Sequence, residues 1–530
     1  MTDNINNLTV PAAAESISHR YGATLVTQGF QLVTSIFTAG IVPRALGPAV
    51  YGNYNFLLTT AGTIHSFLEP SAQQAFFTFS SQDQRSGPMT KLYAVTLFVQ
   101  LGLIFGIIGL AVATGFITWL WPGQKLDQII LITVLEWMIF VTLTLRQLGD
   151  SKGLTIRAQA ITGVTAFVTM MTLVLLYITG WLNFYSLVFL NLFSTLLSGI
   201  VLVHWLLVIN HAVCWSGELR GRIRGYVARW WRFAAPLIVL EYYSPIVAYL
   251  SIYLIQRWYG SLEQGYFSLA FRWSQVVLVF TSSALAIVWR EIANALASGD
   301  RQRAARVYLL FSSLLQFAAL LLCTWLSFGS QILVGLLAGE EYRLAVPVLA
   351  IMAFYPLQQT SGQLVTAAFK ASERTRIYRN LGIFFSVIDL ALIYILLAPT
   401  DAAIPGLGLG ALGVAIRMVG YGLLSVQVYE WACLKFFGAS YLTSAVQKIL
   451  TFTVIGMSGF LLLGRFNAFM IDDLNINNYF SFTVASFMYF IAVLGLVLIW
   501  PRLAGLQKED ITTGWQAVKS IALRVTDRYR

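Results

Sequence analysis

Fourteen apolar runs, separated by short loops that are alternately rich and poor in lysine and arginine, leave this chain few ways to fold. A run of about 20 apolar residues crosses the hydrocarbon of a bilayer as an α-helix, at ~1.5 Å of rise per residue. The runs lie near residues 22–42, 53–78, 92–120, 128–146, 154–179, 184–209, 233–256, 264–289, 307–338, 344–369, 380–398, 404–428, 446–464 and 480–500. Loops on one side carry 27 of the 34 lysines and arginines; the opposite loops hold only Arg44, Lys125, Arg257, Arg343 and Arg465. Positive charge collects on cytoplasmic loops. The pattern therefore predicts an all-α polytopic membrane protein of fourteen spans with both termini cytoplasmic. One span more or fewer would scramble the alternation.

Composition agrees and removes other classes. With 58% hydrophobic and 11% charged residues and a mean hydropathy of +0.72, a soluble fold would expose a large apolar surface. The net charge of +11 suggests a nucleic-acid binder until the positions are read. They are loop cations, so nucleic acid is not an expected partner. Cys214, Cys323 and Cys433 have no CxxC spacing, hence no disulfide framework or thiolate metal site is expected. The first apolar run is long for a signal-peptide core and its flank is poor in cations, so it reads as an uncleaved first span.

One stretch occurs twice. Ile41–Phe56, IVPRALGPAVYGNYNF, aligns with Leu254–Leu269, LIQRWYGSLEQGYFSL, at an offset of 213 residues. Arg44 falls on Arg257, Gly47 on Gly260, Gly52 on Gly265 and Tyr54 on Phe267. Each copy closes one apolar run and opens the next; its glycines suit a tight loop with positive φ and its arginine suits the headgroup layer. Two related bundles follow: residues 1–209 (spans 1–6) and 233–428 (spans 7–12). A basic, aromatic linker at 210–232 should lie as an amphipathic segment on an anionic leaflet. Residues 429–500 add spans 13 and 14, and 501–530 form a basic tail. Pro70, Pro236, Pro245, Pro347 and Pro356 predict bends in spans 2, 7 and 10.

Ionisable groups inside spans are costly and face a protein interior or a polar chamber. They are His65 and Glu69 on span 2, Glu136 on span 4, Glu241 on span 7, Arg272 on span 8, Asp389 on span 11 and Arg417 on span 12. Arg272 lies roughly 12 Å below the outer surface, too deep to snorkel easily, and its planar donor fork suits phosphate or carboxylate. Glu241 is offset from it by roughly 10 Å along the membrane normal, so a direct bridge is not expected. Asp389 and Arg417 reach similar depths on consecutive spans, and an interhelical ion pair is the preferred reading. His65 and Glu69 share a helix face just before Pro70 and could either carry a proton or hold helices together. Glu241 lies between two prolines, where freed carbonyls beside a carboxylate suit a cation. Glu136 has no partner legible in the sequence.

Enzyme signals fail. The GxGxxG of Gly408–Gly413 lies in an apolar span without a βαβ context, and there is no GK[ST], HExxH or Cys/His cluster. No enzyme activity, cofactor or metal is expected.

The segment PRALGPAVYGNYNF after span 1 resembles the start of bacterial polysaccharide-biosynthesis flippases, the oligosaccharide flippase family. GYFSLAFRWSQ in span 8, LAGEEYRLAVPVLAIM at Leu337–Met352 and FKASERTRIYRN at Phe369–Asn380 are similar to its later parts. The likeness covers most of the first 430 residues. It implies two pseudo-symmetric six-helix lobes around a central cavity and alternating access. The implied substrate is a polyprenyl-diphosphate-linked oligosaccharide, moved from the cytoplasmic to the outer leaflet of the bacterial inner membrane for O-antigen, capsule or exopolysaccharide synthesis. Implied partners are membrane lipids, H⁺ or Na⁺ as coupling ion, and glycan polymerases. Arg272, Gln275 and Arg417 become candidate substrate-binding residues, and Glu241, Glu69, His65 and Asp389 candidate ion-coupling residues. Relatives of the lipid II type carry an arginine deep in span 1 and use spans 13 and 14 for the lipid tail. Arg20 lies only at the mouth of span 1, which weakens the lipid II reading. The rival readings are a cation-coupled multidrug antiporter of the same fold and a non-transporting component of a glycan-assembly complex.

Overall fold

The computed structural model describes residues 17–69, 72–82, 87–152, 154–209, 223–235, 238–282 and 285–506, some of them, Glu241 included, in backbone only. Pro70, Pro236, Cys214, the first part of the basic linker and the tail beyond 506 lie outside the described residues. The chain divides into two compact units, Met1–Gly265 and Tyr266–Arg530. Among the described residues every regular element is a helix, and ten helices are long and apolar enough to cross a membrane.

The first unit holds α1 (Ile17–Leu68), α2 (Ala72–Gln82), α3 (Gly87–Ala113), the short α4 (Ile117–Leu120), α5 (Leu126–Ser151), α6 (Thr155–Ile178), α7 (Phe184–Val203), α8 (Ile223–Ala234) and the first part of α9 (Ile238–Ser282). Its core joins Phe56 and Leu57 of α1 to Ile104 and Ile108 of α3 and Ile129 and Ile132 of α5. The second unit holds the rest of α9, α10 (Leu285–Ala297), α11 (Arg301–Phe328), α12 (Ser330–Leu333), α13 (Val346–Met352), α14 (Tyr355–Ala371), α15 (Thr375–Leu397), α16 (Gly410–Ile416), α17 (Gly422–Phe437), α18 (Tyr441–Gly459), α19 (Asn467–Asp472) and α20 (Asn478–Ile499). Its core is built on Val288, Ile292, Tyr308, Leu364, Phe369 and Leu434. Large apolar side chains such as Phe98, Leu110, Phe193, Val387, Phe487 and Leu498 are exposed on the helix surfaces. Such a surface is stable against lipid and not against water.

Several expected loops are bends instead. The first two apolar runs form one element, α1, interrupted at Gly47 (φ 71, ψ 165), and the seventh and eighth form α9, interrupted at Gly260 (φ 77, ψ −169). These are the first glycines of the two copies of the repeat. Their conformation is one that only glycine adopts readily, which explains why the chain can turn so tightly there. Gly52 and Gly265, by contrast, are ordinary helical residues without positive φ; their role is spatial. The tenth run is two helices, α13 and α14, each with a proline in its first turn, where a missing N–H costs nothing. The helix α1 ends at Leu68, and α2 begins at Ala72. Pro245 is held inside α9.

Candidate functional site

The two copies of the repeat cross each other. A Cβ on Gly52 would lie 2.0 Å from the Ser261 carbonyl oxygen, and one on Gly265 would lie 2.0 Å from that of Pro48. Asn53, beside the crossing, accepts hydrogen bonds from the Ser261 hydroxyl at 2.6 Å and the Gln124 amide at 2.6 Å. Gln256 donates to Asn53 at 3.4 Å and to the Pro122 carbonyl at 3.3 Å. Small residues thus bring backbones together, and a polar side-chain network fastens them.

A buried acid–base cluster forms where span 2 ends. The 3.6-residue repeat of α1 brings His65 and Glu69 to one face, with His65 Nε2 at 3.4 Å from Glu69 Oε2. Their exposures are 4% and 7%. Tyr93 of α3 donates its hydroxyl to Glu69 Oε1. The imidazole lies against the Phe140 ring of α5, centroids 3.9 Å apart. Glu136 of α5, unassigned by the sequence, is an electrostatic neighbour of His65. Its Oε1 rests 3.1 Å from where a Gly62 Cβ would stand, so the glycine one turn before His65 makes room for the carboxylate.

The second unit gathers a different set. Arg417 Nη1 lies 2.6 Å from both oxygens of Asp389, and the two side chains are 7% and 16% exposed. Arg417 opens a π-helical turn, Arg417–Tyr421, between α16 and α17, a local unwinding often found at functional positions. Gln275 of α9 is within hydrogen-bonding reach of the Tyr355 hydroxyl, and Tyr355 also feels the charge of Arg417. Arg272 stands three residues before Gln275, on the same helical face. It is exposed and has no ion pair or hydrogen bond among the described residues. Three of the sequence-derived candidates, Gln275, Arg417 and Asp389, are therefore drawn together around Tyr355, which sequence reasoning missed. The side chain of Glu241 is not among those described.

A second ion pair was also missed. Glu430 of α17, 1% exposed, pairs with Lys448 of α18 and accepts from Ser312 of α11 at 3.4 Å. In the charge pattern of the sequence Lys448 falls among the cytoplasmic loop cations; only Gly438–Ser440 separates α17 from α18, so the hairpin brings both side chains inside. Lys448 also lines a crevice of 340 Å³ with Leu320, Leu357, Leu424 and Phe452. The described part of the basic linker is α8. Its Arg229 donates to Gln82 at 2.6 Å and lies over the Phe79 ring, while Arg224, Trp231 and Arg232 are exposed.

A sequence profile of the polysaccharide biosynthesis protein family matches residues 14–290, just over half of the 530-residue chain. No curated protein sequence matches it. The fold is similar to that of the lipid II flippase MurJ in an inward closed conformation, at 12% identity over 90% of this chain and 98% of that one, TM-score 0.61. It is also similar to an inward-facing multidrug-resistance MATE transporter of the MOP superfamily, at 12% identity over 80% of this chain and 100% of that one, TM-score 0.58.

Proposed function

The chain belongs to the polysaccharide biosynthesis protein family, and from that premise we propose that it flips a polyprenyl-diphosphate-linked oligosaccharide from the cytoplasmic to the outer leaflet. The product would feed surface polysaccharide assembly at the bacterial inner membrane, with both termini cytoplasmic. A charged sugar headgroup cannot cross hydrocarbon unaided, whereas a polyprenyl tail can remain in lipid throughout. Alternating access solves that problem by moving the headgroup through a polar chamber. The observation that carries this reading is Arg272: a guanidinium on a helix of an apolar bundle, exposed and without an acidic partner among the described residues. An unneutralised arginine of that kind is a receptor for a diphosphate. Gln275 and Tyr355 would then hydrogen-bond the phosphate or first sugar, and Arg417, already held by Asp389, would position Tyr355. Spans 13 and 14 would take the lipid tail.

Coupling to H⁺ or Na⁺ falls on the His65–Glu69 pair, with Glu241 a second candidate by its place between prolines. Asp389 is a poorer one, because Arg417 neutralises it at 2.6 Å. The test is genetic. Arg272→Ala should sharply reduce surface glycan while the protein remains in the membrane and the lipid-linked precursor accumulates inside. Wild-type export by that variant would reject the assignment. The acidic cluster of the first unit favours the second reading, a cation-coupled multidrug antiporter; drug sensitivity of a deletion strain with normal surface glycan would support that instead.

A further inference from the structure

Beyond the general expectation of ion coupling, we infer that His65, Glu69 and Glu136 form one proton-binding site, closed by Tyr93, in the first unit. Its part in transport rests on the function proposed above; the site itself does not. Two carboxyl groups stand around a single imidazole in an apolar setting. Neither Glu69 nor Glu136 pairs with a lysine or arginine among the described residues. If all three groups were ionised, the cluster would carry one net negative charge inside the membrane. One additional proton makes it neutral, and burying a net charge in a low-dielectric interior is costly.

The hydrogen bonding of the cluster is incomplete in a telling way. Tyr93 occupies Glu69 Oε1, leaving Oε2 facing the imidazole at 3.4 Å without hydrogen-bond alignment. Both imidazole nitrogens and Glu69 Oε2 are buried and have no hydrogen-bond partner among the described residues. Buried polar atoms of this kind are normally satisfied, and a proton shared between the imidazole and the carboxylate would satisfy two of them. Among the described residues no lysine or arginine forms an ion pair with the cluster, although α3 also carries Lys91 and α5 Arg146. From α1 come His65 and Glu69, from α3 Tyr93, and from α5 Glu136; α2 (AQQAFFTFSSQ) has no titratable side chain. From α8, Tyr226 and Trp230 pack on the core that contains Tyr93, while Arg229 is turned to Gln82. From α9, Tyr242 stacks on Phe67, centroids 5.5 Å apart.

The donor set also separates a proton from a sodium ion. Sodium needs several oxygen ligands, but the groups here are an imidazole, a tyrosine hydroxyl already donating, and two carboxyl groups on different helices. The proton would be taken up when the cluster is sealed in the apolar core and released when it meets water. In the transfer, one imidazole nitrogen accepts a proton while the other gives one up, so the ring can pass it between the carboxyl groups without a change in its own charge.

The experiment is pH-difference infrared spectroscopy of the full-length protein in lipid nanodiscs without any sugar lipid. Wild type should show a carboxylic-acid C=O band whose intensity changes with pH. Glu69→Gln or Glu136→Gln should remove that band, His65→Gln should shift its midpoint, and the exposed loop change Glu373→Gln should leave it intact. Sodium at fixed pH should not affect it. A wild-type spectrum without such a band would overturn the inference whatever the variants do. So would a band that survives both carboxyl variants, or one displaced by sodium. Arg272→Ala should keep the band, so the headgroup assignment and the proton site stand or fall separately.

Discussion

Gly52 and Gly265 hold equivalent places in the two copies of the repeat, and the backbone opposite each fills the space its side chain would need. A Cβ on Gly52 would meet the Ser261 carbonyl oxygen at 2.0 Å, and one on Gly265 would meet that of Pro48 at the same distance. Ser261 itself follows Pro48 by the 213-residue offset, so the crossing is reciprocal. The duplicated sequence is thus visible as a duplicated contact.

Gly52→Ala and Gly265→Ala should each destabilise the protein by about 1–3 kcal/mol, the range for forcing extra volume into a packed contact. Gly109→Ala, with nothing within 4 Å of its added Cβ, should stabilise its helix slightly if anything. Thermal unfolding of the purified proteins measures the difference. The double variant should lose less than the sum of the single changes, because both force apart the same crossing.

At Gly47 and Gly260 the constraint is conformational. Alanine at either position should cost about 1–3 kcal/mol through backbone strain, although nothing lies within 4 Å of a Cβ on Gly260. A D-alanine introduced at Gly260 by semisynthesis should restore wild-type unfolding, whereas L-alanine should not.

Much of this architecture was legible in the chain, and the reason is physical. Apolar length, proline position and glycine repeats are local signals, so the positive φ at Gly47 and Gly260 and an interruption near Pro347 and Pro356 could be anticipated, although as loops and kinks rather than as bends and helix starts. The Asp389–Arg417 pair was also within reach, because consecutive antiparallel spans fix relative depth. Glu136 was not: its meeting with His65 depends on how α5 rotates against α1, which periodicity alone does not set. Tyr355 was hidden for the same reason, as one tyrosine among 24. Glu430 and Lys448 were lost because hydropathy ended one span before Glu430 and began the next near Lys448, whereas helix continues inward around both.

The two buried ion pairs described in the second unit, Asp389–Arg417 and Glu430–Lys448, should respond to single and double changes in opposite ways. Asp389→Ala strands the Arg417 guanidinium and should cost on the order of 3–5 kcal/mol. Replacing both by leucine and methionine should recover most of that stability, measured by thermal unfolding in one detergent.

Glu430 and Lys448 should behave likewise. Glu430→Leu alone leaves a buried ammonium, and Lys448→Met alone leaves a buried carboxylate; the double variant removes both charges and should unfold near the wild-type temperature. Recovery of stability without recovery of glycan export would assign the pair a part in transport as well as in packing.

The most direct test of the whole account is leaflet transfer of a fluorescent polyprenyl-diphosphate sugar in proteoliposomes of the purified protein. Wild type should move the lipid, and Arg272→Ala should be slower by about ten- to a hundredfold, the equivalent of one charged hydrogen bond of ~1.5–3 kcal/mol. Transfer by Arg272→Ala at the wild-type rate, or no transfer by wild type at all, would contradict it.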